Sequence, residues 1–125
     1  MATVLLVDDE PSVREVLRIY AEGNGLTVVG EAVNGRQAVD LTARLAPDVI
    51  VLDHEMPEMT GLEALPRLRR RAPRAVIVFY TSAVTHSKQD ALALGATAYV
   101  TKSESAKTVI RTVLELIESR HPVAT

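Results

Sequence analysis

Asp53 closes a run of four aliphatic residues, Val49-Ile50-Val51-Leu52, and the chain then turns through Met56-Pro57 to Thr60-Gly61. Three other apolar runs also end on polar groups: Asp8-Asp9, Thr81-Ser82 and Lys102. In an open parallel sheet ligands sit outside the carboxyl ends of the strands, so these side chains converge where chemistry is expected. Three carboxylates packed together, Asp8, Asp9 and Asp53, repel one another and cannot all stay ionised without a cation. An oxygen-only set selects a hard ion, and Mg²⁺ accepts a few carboxylates plus waters. One oxygen of Asp53 is then left to attack phosphorus. Of the three charged oxygens on an incoming phosphoryl group, Mg²⁺ takes one and the Lys102 ammonium a second. The Thr81 hydroxyl, with backbone N–H groups, takes the third. That is the positioning and charge stabilisation phosphoryl transfer requires.

The elements that must carry these groups follow from periodicity. Thr3–Val7, Leu26–Gly30, Val49–Leu52, Ala75–Tyr80 and Thr97–Thr101 read as strands, and the central ones are apolar enough to be buried on both faces. Pro11 suits the first turn of a helix, and Val13, Val16, Leu17, Tyr20 and Ala21 form its apolar stripe until Asn24-Gly25 ends it. Asn34-Gly35 opens a second helix, stopped before Pro47. Thr60 caps a third that runs to Arg71, in which Pro66 predicts a kink or a late start. Ser87 to Leu94 reads as a short helix closed by Gly95. A last helix carries Val109, Ile110, Val113, Leu114, Leu116 and Ile117. Five alternating βα units predict an α/β, doubly wound parallel sheet with right-handed crossovers. The second strand ends on no reactive group, which suits an edge and favours the flavodoxin-like order 2-1-3-4-5.

The whole chain is consistent with this. Its 125 residues are enough for one domain, residues 1–125, and too few for two. With 3% aromatic residues, the core must be aliphatic. No apolar window is long enough to span a membrane and no basic leader precedes the first strand, so neither a membrane span nor a signal peptide is expected. The absence of cysteine excludes disulfides and thiolate metal sites and fits a cytoplasmic location. A net charge of −2 argues against direct nucleic-acid binding.

Taken together, Val7-Asp8-Asp9-Glu10, Leu52-Asp53-His54-Glu55-Met56-Pro57-Glu58-Met59-Thr60-Gly61, Thr81-Ser82-Ala83 and Gly95-Ala96-Thr97-Ala98-Tyr99-Val100-Thr101-Lys102 resemble the receiver domain of bacterial two-component response regulators. The resemblance runs the length of the chain; no single piece is specific, but the combination is. It implies a phosphorelay switch in which Asp53 takes a phosphoryl group from a sensor histidine kinase or phosphotransfer protein. It also implies that Asp9, Asp53 and the backbone carbonyl of Glu55 bind Mg²⁺ directly, with Asp8 acting through water. Thr81 and Lys102 would contact the phosphoryl group, and Thr81 and Tyr99 would form the switch. The fourth helix, fifth strand and fifth helix would then present a changed face to an output domain, a partner protein or a second copy of the chain. The first helix, where Ile19 falls off the apolar stripe, would face the kinase. The Glu55 side chain would tune hydrolysis. Two departures stand out: Ser103 follows the lysine where the family commonly has proline, leaving the loop less fixed, and the interval from Thr81 to Lys102 is one residue short.

Plainer readings exist for several of these residues. Asp8 and Asp9 could cap the first helix, Tyr99 could be a half-buried strand residue, and His54 shapes the rim rather than acting as a base. Arg67, Arg69, Arg70, Arg71 and Arg74 read as a solvated helix C-terminus favoured by the macrodipole. An enzyme alternative is a Mg²⁺-dependent aspartyl-phosphate phosphohydrolase of the haloacid dehalogenase type. That family has an Asp two residues after the nucleophile, where Glu55 stands here, and there is no room for a cap. A phosphorylation-independent interaction module is the third class, disfavoured by the complete acidic set.

Overall fold

The computed structural model describes residues 1–82 and 88–120. The elements alternate strictly: β1 (Thr3–Val7), α1 (Pro11–Gly23), β2 (Thr27–Ala32), α2 (Gly35–Leu45), β3 (Val49–Leu52), α3 (Gly61–Arg71), β4 (Val76–Thr81), α4 (Lys88–Ala93), β5 (Ala98–Thr101) and α5 (Ala106–Arg120). The five strands form one parallel sheet in the order β2-β1-β3-β4-β5, as expected. The switch in strand order lies between β1 and β3, which places Asp8 and Asp53 side by side.

The two-residue period of the strands divides the core into two layers. Leu5, Val7, Ile50, Leu52, Ile77 and Phe79 face α2, α3 and α4, meeting Ala38, Leu65, Leu68 and Ala91. Val4, Leu6, Val49, Val51, Val76, Val78 and Tyr80 face α1 and α5, meeting Leu17, Ala21, Val109, Ile110 and Val113. β1, β3 and β4 are almost wholly buried, which is why they read as continuous apolar runs.

The structure departs from the sequence reading at several places. β2 begins and ends later than Leu26–Gly30: its pairing starts at Thr27 opposite Thr3, and beyond a register irregularity between Val4 and Leu5 it continues to Ala32 opposite Val7. In α1 only Leu17 and Ala21 are buried, while Val16 and Tyr20 join Ile19 among the exposed apolar side chains. The helix sits on the sheet through a narrower stripe than its composition suggested. α3 does not start late at Pro66. It starts at Gly61, held by a reciprocal cap in which the Thr60 hydroxyl accepts from the Glu63 N–H and the Glu63 carboxylate accepts from the Thr60 N–H. Ser87, read as the start of the fourth helix, and Ala83 lie outside the described residues. In α5, Leu114, Leu116 and Ile117 are half-buried against the α1/α5 layer.

Arg69 is not a solvated helix end. Its guanidinium donates to the carbonyls of Gly95, Ala72, Pro73 and Ala75, tying α3 to the approach to β4 and to the turn before β5. Burial, and then the charge of Arg120, hold its pKa below the usual arginine range.

Candidate functional site

The site lies at the carboxyl edge of β1, β3, β4 and β5. Val7 pairs with Leu52, and the Asp53 N–H donates to the Val7 carbonyl at 2.9 Å, so Asp8 and Asp53 leave their strands at the same level. Asp8 is 2% exposed and Asp53 5%, whereas Asp9 faces solvent. Ligand oxygens of Asp8, Asp9 and Asp53 lie within 4.8 Å of one another, a group able to hold a cation.

The chain places its own cation there. The Lys102 ammonium donates to Asp8 Oδ2 at 2.7 Å and stands 3.4 Å from Asp53 Oδ2. The other oxygens are partly satisfied by backbone: Asp8 Oδ1 accepts from the Glu10 N–H at 2.9 Å, and Asp53 Oδ1 from the His54 N–H at 2.8 Å. These bonds do not offset burial at Asp53. Desolvation first, and the Asp8 charge second, push its pKa from an ordinary 3.8 up to about 6, although Lys102 and the His54 N–H pull the other way. Desolvation alone would lower Lys102, but its hydrogen bond to Asp8 and the two carboxylate charges win and raise it.

Thr81 ends β4 and is 1% exposed, while Ser82 is exposed, so the two adjacent hydroxyls differ in setting. Strand alternation puts Thr81 on the same face as Phe79. The Phe79 ring stacks on Tyr99 with centroids 5.8 Å apart and planes 8° from parallel. Burial raises the Tyr99 phenol. The Lys102 N–H donates to the Thr81 carbonyl at 2.9 Å, so the end of β4 sets the position of the lysine backbone. Glu55 is exposed and outside the carboxylate group. His54 shapes the loop: its Nδ1 accepts from the Leu62 N–H at 3.3 Å, and its ring leans toward Phe79.

The loop after β3 is pulled close to the strand it leaves. The Gly61 N–H donates to the His54 carbonyl at 2.9 Å, and a Cβ at Gly61 would stand 2.1 Å from the Asp53 carbonyl oxygen. Only glycine allows that approach.

Three contributors escaped the sequence reading. Arg14 of α1 donates to the Asp8 carbonyl at 2.6 Å while its Nε is paired with Glu31. Asn34, buried at the start of α2, donates to Glu58, whose φ of 68° bends the loop between β3 and α3. Tyr80 reaches the loop that bears Lys102. Each contact joins residues distant in sequence except Arg14 to Asp8, and none leaves a local pattern. A positive-φ Glu in a Met-Pro-Glu-Met turn has no compositional marker.

Residues 4–114 match the family model described as the response regulator receiver domain. The chain belongs to that family. The receiver is 40% identical over 114 residues to the transcriptional regulatory protein YdfI of Bacillus subtilis, covering 90% of this chain and 54% of that protein. It is 38% identical over 121 residues to a protein-glutamate methylesterase/protein-glutamine glutaminase of Methanosarcina mazei, covering 94% of this chain and 34% of the relative. Among solved structures it resembles the response regulator domain of Thermotoga maritima CheB, with a TM-score of 0.83, 31% identity, and coverage of 100% of this chain and 99% of that one. The receiver thus spans about half or less of these two curated relatives. The match selects the receiver reading over the phosphohydrolase one. Among the described residues no helix is long and apolar enough to cross a membrane.

Proposed function

We propose that residues 1–125 form a single receiver unit in which Asp53 accepts a phosphoryl group from the phosphohistidine of a sensor kinase or phosphotransfer protein in the cytoplasm. The observation that carries this reading is the Lys102 ammonium lodged between two buried carboxylates, within reach of Asp53 and tethered to Asp8. Asp53 Oδ2 attacks phosphorus; the O–P bond forms as the P–N bond to the donor imidazole breaks, and its electron pair leaves with the nitrogen. Asp53 must be ionised for this, and with its pKa near 6 it is so above that pH. Lys102 neutralises one phosphoryl oxygen. Thr81, at the end of β4, presents its hydroxyl to another.

The three carboxylates fit Mg²⁺: Asp9, Asp53 and the Glu55 carbonyl would hold it directly and Asp8 through water, and the ion would neutralise the crowded carboxylates and a phosphoryl oxygen. Once Asp53 is phosphorylated, Thr81 moves toward the new oxygens and Tyr99 follows on the same face. The α4, β5 and α5 surface then shifts between two populations, read by an output domain, a partner protein or a second copy. The Glu55 side chain, exposed beside the site, tunes hydrolysis. The test is incubation with acetyl phosphate and Mg²⁺, with the adduct mapped by mass spectrometry. Stoichiometric label on Asp53, absent from Asp53→Asn, is the expected result; undiminished label on the variant would defeat the assignment.

A further inference from the structure

Lys102 lies just past the end of β5, and residues 103–105 are exposed, so packing alone does not hold this loop. Its first anchor is the Lys102 N–H on the Thr81 carbonyl. Its turn is closed by the Glu104 N–H on the Thr101 carbonyl at 2.9 Å, and by a Thr101–Ser103 hydroxyl pair at 2.5 Å. These bonds are local; at its far end the loop is continuous with α5, where the Ser105 carbonyl accepts from the Thr108 and Val109 N–H groups. The second anchor is remote. Tyr80, 6% exposed within the α1/α5 layer, extends past β5 and donates its hydroxyl to the Glu104 carbonyl at 2.8 Å. The Lys102 ammonium stands 5.9 Å from the centroid of the same ring, inside the range of a cation–π contact.

One side chain therefore touches both ends of the functional lysine: the loop behind it and the ammonium in front. We propose that Tyr80 is a positioning residue for Lys102, its hydroxyl pinning the loop at Glu104 and its ring setting where the ammonium stands relative to Asp53. Tyr80 is immediately before Thr81 on β4. Alternation sends Thr81 to one face of the sheet and Tyr80 to the other, so consecutive residues fix the two phosphoryl contacts, one directly and one through Lys102. This role rests on the reading of Lys102 as a phosphoryl contact. It gives the loop a fixed point in a chain with Ser103 after the lysine.

The experiment is the phosphorylation rate with acetyl phosphate at saturating Mg²⁺, followed by intact mass, for the parent, Tyr80→Phe, Lys102→Ala and the double variant. Tyr80→Phe keeps the ring and its packing, so amide spectra should show a folded chain with shifts at Lys102, Ser103 and Glu104. Its maximal rate should fall about tenfold, the scale of a misplacement of a fraction of an ångström. The Mg²⁺ concentration for half-maximal rate should not change. In the Lys102→Ala background the same substitution should cost nothing further, whereas a merely structural tyrosine would slow both backgrounds by the same factor. Equal slowing in both backgrounds overturns the proposal. So does a parent-like rate for Tyr80→Phe while Lys102→Ala is slow. A parent-like rate for Lys102→Ala instead removes the reading of Lys102 beneath it, and the proposal with it.

Discussion

Replacing Asp53 by asparagine should make the metal-free protein more stable, and the gain should depend on pH in a specific way. Asp53 is 5% exposed and faces Asp8, so its pKa in the folded chain is about 6 against an ordinary 3.8. The shift corresponds to about 3 kcal/mol at most, from ~1.4 kcal/mol per unit. The sign follows from linkage. Between pH 4 and 6 the folded state holds the proton that the unfolded state has lost, so ionisation destabilises the fold as pH rises through that window. Above pH 6 the full cost is present; below pH 4 it is gone. Asparagine has nearly the same shape and no charge to bury, and Lys102 keeps its 2.7 Å partner at Asp8. The gain at pH 7.5 should be about 2–3 kcal/mol, on the order of 10 °C in Tm for a domain of this size. At pH 4 the two proteins should differ by less than about 0.5 kcal/mol. Carboxylates whose pKa is lowered, such as Glu31 beside Arg18, are common to both chains and cancel in the difference. The assay is urea unfolding in chelator, by circular dichroism, at pH 7.5 and 4. Equal stability at pH 7.5, or the same gain at both values, would refute the argument that buried charge at Asp53 is the cause.

Three further outcomes follow from the geometry. Asp9→Ala should abolish Mg²⁺ binding by titration yet change unfolding free energy by no more than about 0.5 kcal/mol, because Asp9 is exposed. Gly61→Ala should cost about 1–3 kcal/mol and slow phosphorylation, because a methyl 2.1 Å from the Asp53 carbonyl must push the loop off β3; a parent-like melt would show that the approach is not constrained. Beryllofluoride with Mg²⁺ should move amide signals at Tyr99 and Val100 as well as at Asp9, Asp53, Thr81 and Lys102, and shifts confined to the last four would end the coupling to the Phe79–Tyr99 stack.

The strands were legible because their apolar runs are short and ended by turn or polar residues, and their order because the second alone ends on no reactive group. β3 shows it best: Val49–Leu52 is buried at every position and stops at Asp53, so burial and strand boundary coincide in the sequence. β2 shows the limit. As an edge strand it is only partly buried, its pattern is weak, and its register comes from an irregularity in pairing that leaves no compositional trace. Arg69 and Tyr80 fail to show for another reason. One looks like any arginine at a helix end and the other like any apolar strand residue, and their partners lie about 25 residues away, at Gly95 and Glu104. Sequence spacing locates groups that share a strand end, but it does not reveal what holds those groups still.

The energetics of the site explain why it can be both unstable and poised. Three carboxylates face one ammonium, and the Arg14 guanidinium is already committed to the Asp8 carbonyl and to Glu31. Asp53 gives up its proton late because burial strips water from its carboxylate and, second, because the buried Asp8 charge stands beside it; Asp9 adds a further, solvent-facing charge. A divalent cation held by the three carboxylates would offset that cost. Lys102 has the second part of the same device. Held at 2.7 Å by Asp8 and 3.4 Å from Asp53, it is bound more closely to Asp8 than to Asp53, the acceptor in the proposed function. In the proposed phosphotransfer the ammonium would have only to shift its bond from Asp8 toward Asp53 to meet a phosphoryl group there.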